Sequence, residues 1–250
     1  MILEKYFAGQ IPNDAYKALW DMVKEELSGV AHAETIRKRV KGELADICTD
    51  NYYIARDGDK CATRLWTGWG NHKDAIGNFG HFLTLPEFRG KGLGKKVMKF
   101  WAKDILTRSD VPLCLLCSAE PEVIDIFYRE YGFREIDSKY HGGYLYCPLG
   151  NSPETFTEFY ENYYKPSKTL IHKKGNIEFR HELDCLLRFT LFMLGEEFTM
   201  GEYYSVEEYL TFCPDRVGML YSEDGHCVGW SLDGKIVVHP LYKDSKIIYR

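Results

Sequence analysis

The segment Arg89-Gly90-Lys91-Gly92-Leu93-Gly94-Lys95 combines three alternating glycines with three cationic side chains. It follows a β-rich run that stops at Pro86, and it precedes a helical pattern over residues 95–106. The first N–H groups of a helix have no partner within the helix, and the helix dipole adds partial positive charge there. Glycines let such a backbone approach a phosphate closely. The segment therefore predicts a binding site for a pyrophosphate.

Two common phosphate-binding loops do not fit this segment. A P-loop needs four residues between its first glycine and the Gly-Lys-Ser/Thr end. Only three separate Gly90 from Gly94, and Lys96 stands where Ser or Thr is required. The dinucleotide fingerprint would place its third glycine at position 95, where this chain has lysine.

The segment instead resembles the acetyl-CoA loop of the GNAT acetyltransferase superfamily, whose pattern is Arg/Gln-x-x-Gly-x-Gly/Ala. Arg89, Gly92 and Gly94 match that pattern, and the preceding residues 83–88 (LTLPEF) are similar to the family's lead-in strand. Residues 126–133 (IFYREYGF) are similar to the family's FYxxxGF helix end. The resemblance covers roughly residues 14–147 and implies a GNAT-like α/β fold built on a mixed sheet.

The resemblance implies an N-acetyltransferase that transfers an acetyl group from acetyl-CoA to a primary amine of a small molecule or a protein. It also implies that the lead-in strand splays from its neighbour and exposes backbone groups to the pantetheine arm. Tyr128 matches the family tyrosine near the thioester sulfur, where its hydroxyl would act as general acid. The residues expected to bind the cofactor are Leu83, Thr84, Leu85, Arg89, Gly90, Lys91, Gly92, Leu93, Gly94 and Lys95.

The general base is less well defined by the sequence. His81 lies on the lead-in strand and has an unperturbed pKa suited to the task, although a structural histidine is the alternative interpretation. Glu87, Asp74 and an ordered water are further candidates. The family often places asparagine at the start of the FYxxxGF helix, where this chain has Glu120-Pro121. The alternative function is therefore a non-catalytic acyl-CoA-binding or regulatory module.

The pattern of apolar residues and turn formers predicts the elements that position these residues. A helix over 14–27 is expected to be capped by Asn13 or Asp14. The other expected elements are a helix over 33–44, a hairpin over 52–66 around Asp57-Gly58, a loop over 68–78, a strand over 80–85, a helix over 95–106, a strand over 113–117, a helix over 121–132, and strands over 133–136 and 143–147.

A cluster of Pro, Gly and Ser over 148–153 predicts a boundary, with a GNAT domain over 1–150 and a smaller α+β domain over 151–250. Residues 219–230 resemble the first hairpin, and residues 234–243 align with 80–89. Residues 177–180 followed by 183–194 have the pattern of a strand and a helix. The C-terminal domain is thus either a truncated half-repeat without the glycine loop or a generic extension. Covering a sheet edge, shaping the acceptor cleft and forming a homodimer are the roles open to it.

The amino-acid composition and net charge restrict the kinds of function that are expected for this chain. With 45% hydrophobic residues among 250, the chain can bury a core, and its net charge of −5 argues against a nucleic-acid partner. A basic face of Lys91, Lys95, Lys96 and Lys99 is the feature that would support one. The pattern at the N-terminus predicts no signal peptide, and no apolar run is long enough to cross a membrane, so a cytoplasmic protein is expected.

The cysteines are expected to be reduced thiols, and no metal site is expected. Cys114 and Cys117 have CxxC spacing but lie in one apolar run. Because residues i and i+3 of a strand point to opposite faces, these two cysteines cannot bind one metal ion.

Overall fold

The computed structural model describes residues 1–24, 30–72, 74–136, 143–175, 206, 209–210 and 212–250. These described residues form two compact units, one made of residues 1–136 with 143–152 and the other made of the described residues from 153 to 250. The helices are α1 (Asn13–Val23), α2 (Val30–Lys41), α3 (Leu93–Ile105), α4 (Pro121–Phe127) and α5 (Phe156–Tyr163). The strands are β1 (Ile2–Phe7), β2 (Cys48–Asp57), β3 (Lys60–Gly70), β4 (Gly77–Thr84), β5 (Cys114–Ser118), β6 (Arg134–Glu135), β7 (Tyr144–Pro148), β8 (Thr169–Lys174), β9 (Val217–Tyr221), β10 (Cys227–Leu232), β11 (Lys235–Val238) and β12 (Lys246–Tyr249).

The N-terminal unit contains a seven-stranded mixed sheet in the order β1-β2-β3-β4-β5-β7-β6. All neighbours are antiparallel except β4 and β5, which run parallel. The helices α3 and α4 pack on one face, in a core centred on Trp101, Phe79 and Phe133. The helices α1 and α2 pack on the other face, against Ile54 and Trp66. The mixed α/β fold expected from the sequence is confirmed.

Three expectations from the sequence need correction in this unit. Strand β1 was not expected; it pairs antiparallel with β2 along its whole length, from Ile2↔Arg56 to Phe7↔Asn51. Helix α1 begins at Asn13, so Pro12 is its N-cap and no side chain caps it. The loop expected over 68–78 is shorter, since β3 continues to Gly70 and β4 begins at Gly77.

Two glycines within that region lie in strands. Both positions require glycine because neighbouring atoms leave no room for a side chain. A Cβ on Gly68 would lie 2.4 Å from Oδ1 of Asp50, and one on Gly77 would lie 2.6 Å from Leu115. Glycine at these positions is therefore explained by close packing within the sheet and not by a turn.

The C-terminal unit contains a five-stranded sheet in the order β11-β10-β9-β8-β12. Helix α5 buries three aromatic side chains in the C-terminal unit, those of Phe156, Phe159 and Tyr163. The strand and helix expected over 177–194 lie outside the described residues. Among the described residues, the helices are all too short or too polar to span a membrane.

Buried thiols are a common feature of both faces of the first sheet. Cys114 and Cys117 lie on β5 and are buried, and Cys117 belongs to the core under α3. Burial raises the pKa of the Cys61 and Cys147 thiols to about 12, so both stay protonated at neutral pH.

Candidate functional site

Strands β4 and β5 separate shortly after they begin. Their ladder contains the pairs Gly77↔Leu115 and Asn78↔Leu116, although β4 continues to Thr84. Gly77 permits the close approach at the start of the pair. On its β5 edge, the remaining part of β4 therefore has no paired strand and borders a gap, as the family resemblance implied.

A β-bulge in β4, beside this gap, changes the face of the sheet to which the side chains of the strand point. The register with β3 changes between Arg64↔Leu83 and Trp66↔Gly80, which leaves one extra residue on β4. His81 takes this position with φ of +49°, in the left-handed region, and Arg64 Nε donates to its carbonyl at 3.1 Å. As a result Phe79 and Phe82, three residues apart, both face the core under α3.

The glycine loop lies where β4 leads into α3. Gly90 and Gly92 have φ of +75° and +69°, and nothing lies within 4 Å of the place a Cβ would occupy on either. Their conformation, and not crowding, is what favours glycine there. Gly94 differs, because a Cβ on it would lie 3.0 Å from the Phe127 ring, so it lets α3 approach α4.

The start of α3 presents backbone donors to the loop. Gly92 is the N-cap, and the first helical bond runs from Lys96 N–H to Gly92 O at 3.2 Å. The N–H groups of Leu93, Gly94 and Lys95 precede that bond, so they have no intrahelical acceptor. Phe88 and Leu93 pack with Ala62 on either side of the loop, which fixes both of its ends to the sheet.

The cationic side chains of the loop take different positions. Arg89 Nε donates to Thr84 O at 3.1 Å, which holds the guanidinium beside the end of β4. Lys91 Nζ donates to Glu87 O at 3.1 Å and lies 5.0 Å from the Phe88 ring centre. Lys95 is exposed in the first turn of α3.

A cavity of about 500 Å³ joins the loop, the end of β4 and α4. Eight of the ten residues expected to bind the cofactor line it: Leu83, Thr84, Arg89, Gly90, Gly92, Leu93, Gly94 and Lys95. Leu85 and Lys91 are outside this lining; Leu85 packs with Ala62 and Leu93 instead. The volume of this cavity is within the range of sites that bind small molecules and cofactors.

Sequence reasoning did not identify four apolar lining residues, Phe82, Phe88, Val123 and Phe127. The rings of Phe82 and Phe127 meet edge to face, with centroids 5.3 Å apart. The bulge that brings Phe82 to this face is not visible in a pattern of period two. Phe127 does belong to the FYxxxGF match, which was the available signal.

Tyr128 also lines the cavity. It is 6% exposed and contacts the rings of Phe133 and Phe79, at centroid distances of 5.4 and 5.7 Å. Burial raises the pKa of its hydroxyl, and the nearby Cys117 thiol raises the pKa further. Tyr128 is therefore protonated at neutral pH and able to donate a hydrogen bond.

The structure places His81 in a different cavity from Tyr128. The His81 ring meets Trp66 edge to face at 5.4 Å, and it lines a small cavity with Val23 and Tyr52, on the side of the sheet covered by α1 and α2. Because His81 directly precedes Phe82, the two cavities lie on opposite sides of the same bulge.

Comparisons with known proteins bear on the N-terminal unit. Residues 49–135 match the family model described as the acetyltransferase (GNAT) domain. Similar solved structures include an acyl-CoA N-acyltransferase from Pseudomonas aeruginosa, with 15% identity, a TM-score of 0.43, and coverage of 60% of this chain and 100% of that chain. Glucosamine-6-phosphate N-acetyltransferase from Arabidopsis thaliana shows 17% identity and a TM-score of 0.40, over 56% and 97% of the two chains. Naa50 from the same plant, in complex with a bisubstrate analogue, shows 13% identity and a TM-score of 0.38, over 57% of this chain and 95% of that chain. Among curated proteins, none gave a match.

Proposed function

We propose that this protein transfers an acetyl group from acetyl-CoA to a primary amine of a small molecule or a protein, and the match of residues 49–135 to the acetyltransferase (GNAT) domain model supports this proposal. The observation that carries the proposal is the cavity that joins the glycine loop, the unpaired end of β4 and Tyr128. A ligand with a pyrophosphate at one end and a thioester at the other fits that order of groups.

The loop would hold the pyrophosphate. Three backbone N–H groups at the start of α3, the Arg89 guanidinium and the Lys95 ammonium supply donors and positive charge. Gly90 and Gly92 keep this side of the loop free of side chains, so the phosphate oxygens can reach the backbone.

The end of β4 would hold the pantetheine arm. Residues 82–84 lie beyond the last pair with β5, so backbone groups of β4 face the gap. Phe82, Phe127 and Val123 give the gap apolar walls. Fixing the thioester in this gap supplies proximity, a large part of the acceleration expected for transfer between two bound substrates.

In the chemical step, the neutral amine nitrogen attacks the thioester carbon, an N–C bond forms and the C–S bond breaks. The sulfur leaves with the electron pair, and Tyr128, which lines the cavity, is our candidate for donating a proton to it. The amine must lose protons before and after attack. His81, on the other side of the bulge, is our candidate for accepting them.

We further infer that the C-terminal unit is a half-repeat that lacks the cofactor loop. Lys243-Asp244-Ser245-Lys246 stands where the glycine loop would begin, after a Pro-containing 3₁₀ turn like the one at Pro86–Phe88. One acetyl-CoA per chain is therefore expected by calorimetric titration, and a stoichiometry of two would contradict this inference.

The first test is acetyl-CoA binding by wild type and by Gly92→Asp, using thermal shift and calorimetry. Micromolar binding by the wild type that is lost in the variant is expected, because the carboxylate would stand beside the pyrophosphate. Gly58→Asp, in an exposed hairpin turn that does not line the cavity, is the matched control. No binding by folded wild-type protein would overturn the proposal.

The second test separates an enzyme from a binding module. A panel of primary amines should give acceptor-dependent release of CoA, and Tyr128→Phe should lower kcat by roughly 10²-fold or more, the usual contribution of a positioned acid. Tyr131→Phe, a neighbouring tyrosine outside the cavity lining, should have little effect. Binding of acetyl-CoA without release by any amine would favour the non-catalytic alternative.

A further inference from the structure

Helix α3 carries a row of four exposed lysines, Lys95, Lys96, Lys99 and Lys103, which we name the α3 lysines. Lys95 and Lys96 are adjacent, Lys99 is four and three residues beyond them, and Lys103 is four residues beyond Lys99, so the row lies along one face of the helix. The opposite face is buried, through Val97, Met98 and Trp101. The α3 lysines therefore form a continuous basic surface that begins at the glycine loop.

These lysines are not balanced by local carboxylates. Asp104 is the one acidic residue of α3, and its Oδ2 is taken by Lys5 Nζ at 2.7 Å and Tyr53 Oη at 2.6 Å. Within the described part of the chain, no salt bridge joins any of the four to a carboxylate. This basic surface belongs to a chain whose net charge is −5.

The arrangement is unfavourable for the helix itself. Like charges at i,i+4, as in Lys95–Lys99 and Lys99–Lys103, destabilise a helix. Cations in the first turn, as at Lys95 and Lys96, also oppose the helix dipole. Stability of α3 therefore does not explain the row, whereas an anionic partner would.

The phosphates of CoA account for only one end of the row. The N–H groups that would hold a pyrophosphate are in the first turn of α3. At 1.5 Å per residue, Lys99 lies about 6 Å and Lys103 about 12 Å beyond Lys95 along the helix axis. The far end of the row thus extends along the protein surface, away from the loop.

We propose that the α3 lysines dock an acyl carrier protein, an acidic protein that presents its acyl group on a serine-linked phosphopantetheine, and that this carrier is an acyl donor for the site. The inference rests on the proposed function. The single phosphate of the prosthetic group would occupy the glycine loop, its pantetheine arm the gap beside β4, and acidic side chains of the carrier would contact the lysines. In the transfer, the acceptor nitrogen gains the acyl carbon, the C–S bond breaks, and the carrier leaves with a free thiol.

The charges on the two helices beside the cavity favour one orientation of the bound carrier protein. Helix α4, which meets α3 at Gly94 and Phe127, exposes Glu122, and the charge of its Asp125 is offset by a salt bridge with Arg129. The positive surface is thus confined to the α3 side of the cavity, and an acidic protein would be oriented along α3 and away from α4.

The test compares CoA with holo acyl carrier protein in calorimetric titrations of the full chain. The variant is Lys99→Glu with Lys103→Glu, which leaves the loop intact. Its matched control is Lys17→Glu with Lys60→Glu, two exposed lysines elsewhere with the same change in net charge. Apo carrier protein, which lacks the phosphopantetheine, is the second control.

We expect the carrier to bind the wild type and the control variant, and to bind the α3 variant at least tenfold more weakly. CoA should bind all three proteins within about twofold, which also shows that each is folded. Carrier binding should weaken steeply with added NaCl, and the apo carrier should bind more weakly than the holo form.

The outcomes distinguish this inference from the proposed function. If CoA binds and the carrier does not, or if the carrier binds wild type and α3 variant equally, the inference is wrong and the proposed function stands. If neither binds folded protein, both fail. If a short RNA binds the wild type, loses affinity in the α3 variant and competes with the carrier, the row serves nucleic acid and the inference is also wrong.

Discussion

The two units contain the same antiparallel meander, β1-β2-β3-β4 in the first and β8-β9-β10-β11 in the second. Each has a bulge at the same place: Ala62 is the extra residue of β3, and Val228 is the extra residue of β10. The carbonyl of each bulged residue accepts the N–H of the residue before a proline, from Leu85 at 3.0 Å and from His239 at 2.8 Å. A 3₁₀ turn comes next in both.

The two meanders differ in the path of the chain after that turn. In the first unit the chain enters the glycine loop and α3 and returns as β5, parallel to β4. In the second unit it passes Lys243–Ser245 and returns as β12, parallel to β8 at the opposite edge of the sheet. The comparison indicates that the meander is a scaffold. The candidate cofactor site depends on the loop and on the parallel strand beside β4.

The largest effect is expected from giving the first unit the loop of the second. Arg89→Lys, Gly90→Asp, Lys91→Ser and Gly92→Lys together should weaken CoA binding by about 100-fold or more. Losing two charge-assisted contacts, each worth about 1.5–3 kcal/mol, accounts for this change. Calorimetric titration measures it. Lys91→Ala alone should have a smaller effect, because Lys91 Nζ is held by Glu87 O. Affinity within threefold of wild type would show that the loop does not bind the cofactor.

A second effect is expected from acid, through His239 of the second unit. His239 stands where the first unit has Leu85, and its pKa is lowered to about 4 because it is buried. The unfolded chain takes up a proton near pH 6.5, and the folded chain does so only near pH 4. Stability from the neutral, buried ring is therefore complete above pH 6.5 and falls by about 3 kcal/mol as the pH drops to 4.

Peptide-resolved hydrogen exchange between pH 7 and 4 measures this slope for β10 and β11. His239→Asn should flatten it, because an amide oxygen can still accept from Leu241 N–H, as Nδ1 does at 3.1 Å, but does not titrate. Some slope should persist from His172, whose pKa burial also lowers. An unchanged slope in His239→Asn would rule out His239 as the source.

The smallest effect concerns the two hairpin turns. Gly58 and Gly225 have φ of +61° and +84°, with nothing within 4 Å of a Cβ position. Alanine at either should cost about 1 kcal/mol, because a side chain is disfavoured at positive φ, and asparagine should cost less. Urea unfolding of both variants measures this, and CoA affinity should not change. If the two alanine variants lost different amounts of unfolding free energy, the two turns would not be structurally equivalent.

The sequence predicted the features that depend on local residue types. The glycine loop and the hairpin turns at Gly58 and Gly225 each need a particular residue, and so does Gly132, with φ of +87°. Gly132 ends a 3₁₀ turn over Arg129–Tyr131, because α4 itself ends at Phe127 and not at residue 132 as expected. The family resemblance supplied the splay of β4 from β5 and the position of Tyr128 in the cavity. The roles of the individual site residues remain predictions.

The features that the sequence did not predict depend on distant contacts. Strand β1 is short and half exposed, and its pairing with β2, 54 residues away at Ile2↔Arg56, is not encoded locally. Gly68 and Gly77 suggested a loop because the side chains that crowd them come from other strands. Phe82 was missed as a lining residue because the bulge at His81 changes the face it occupies.

The bulge at His81 also has a consequence for how this gene tolerates insertions and deletions. Removing the single codon for His81 would restore regular pairing of β4 with β3 and rotate the preceding residues of the strand by half a turn relative to Phe82. Phe79 would then leave the core under α3 or Phe82 would leave the cavity. A one-codon deletion here should therefore be more damaging than most substitutions of His81. When the chain is aligned with the second meander, whose β10–β11 pairing is regular, the gap belongs at this residue.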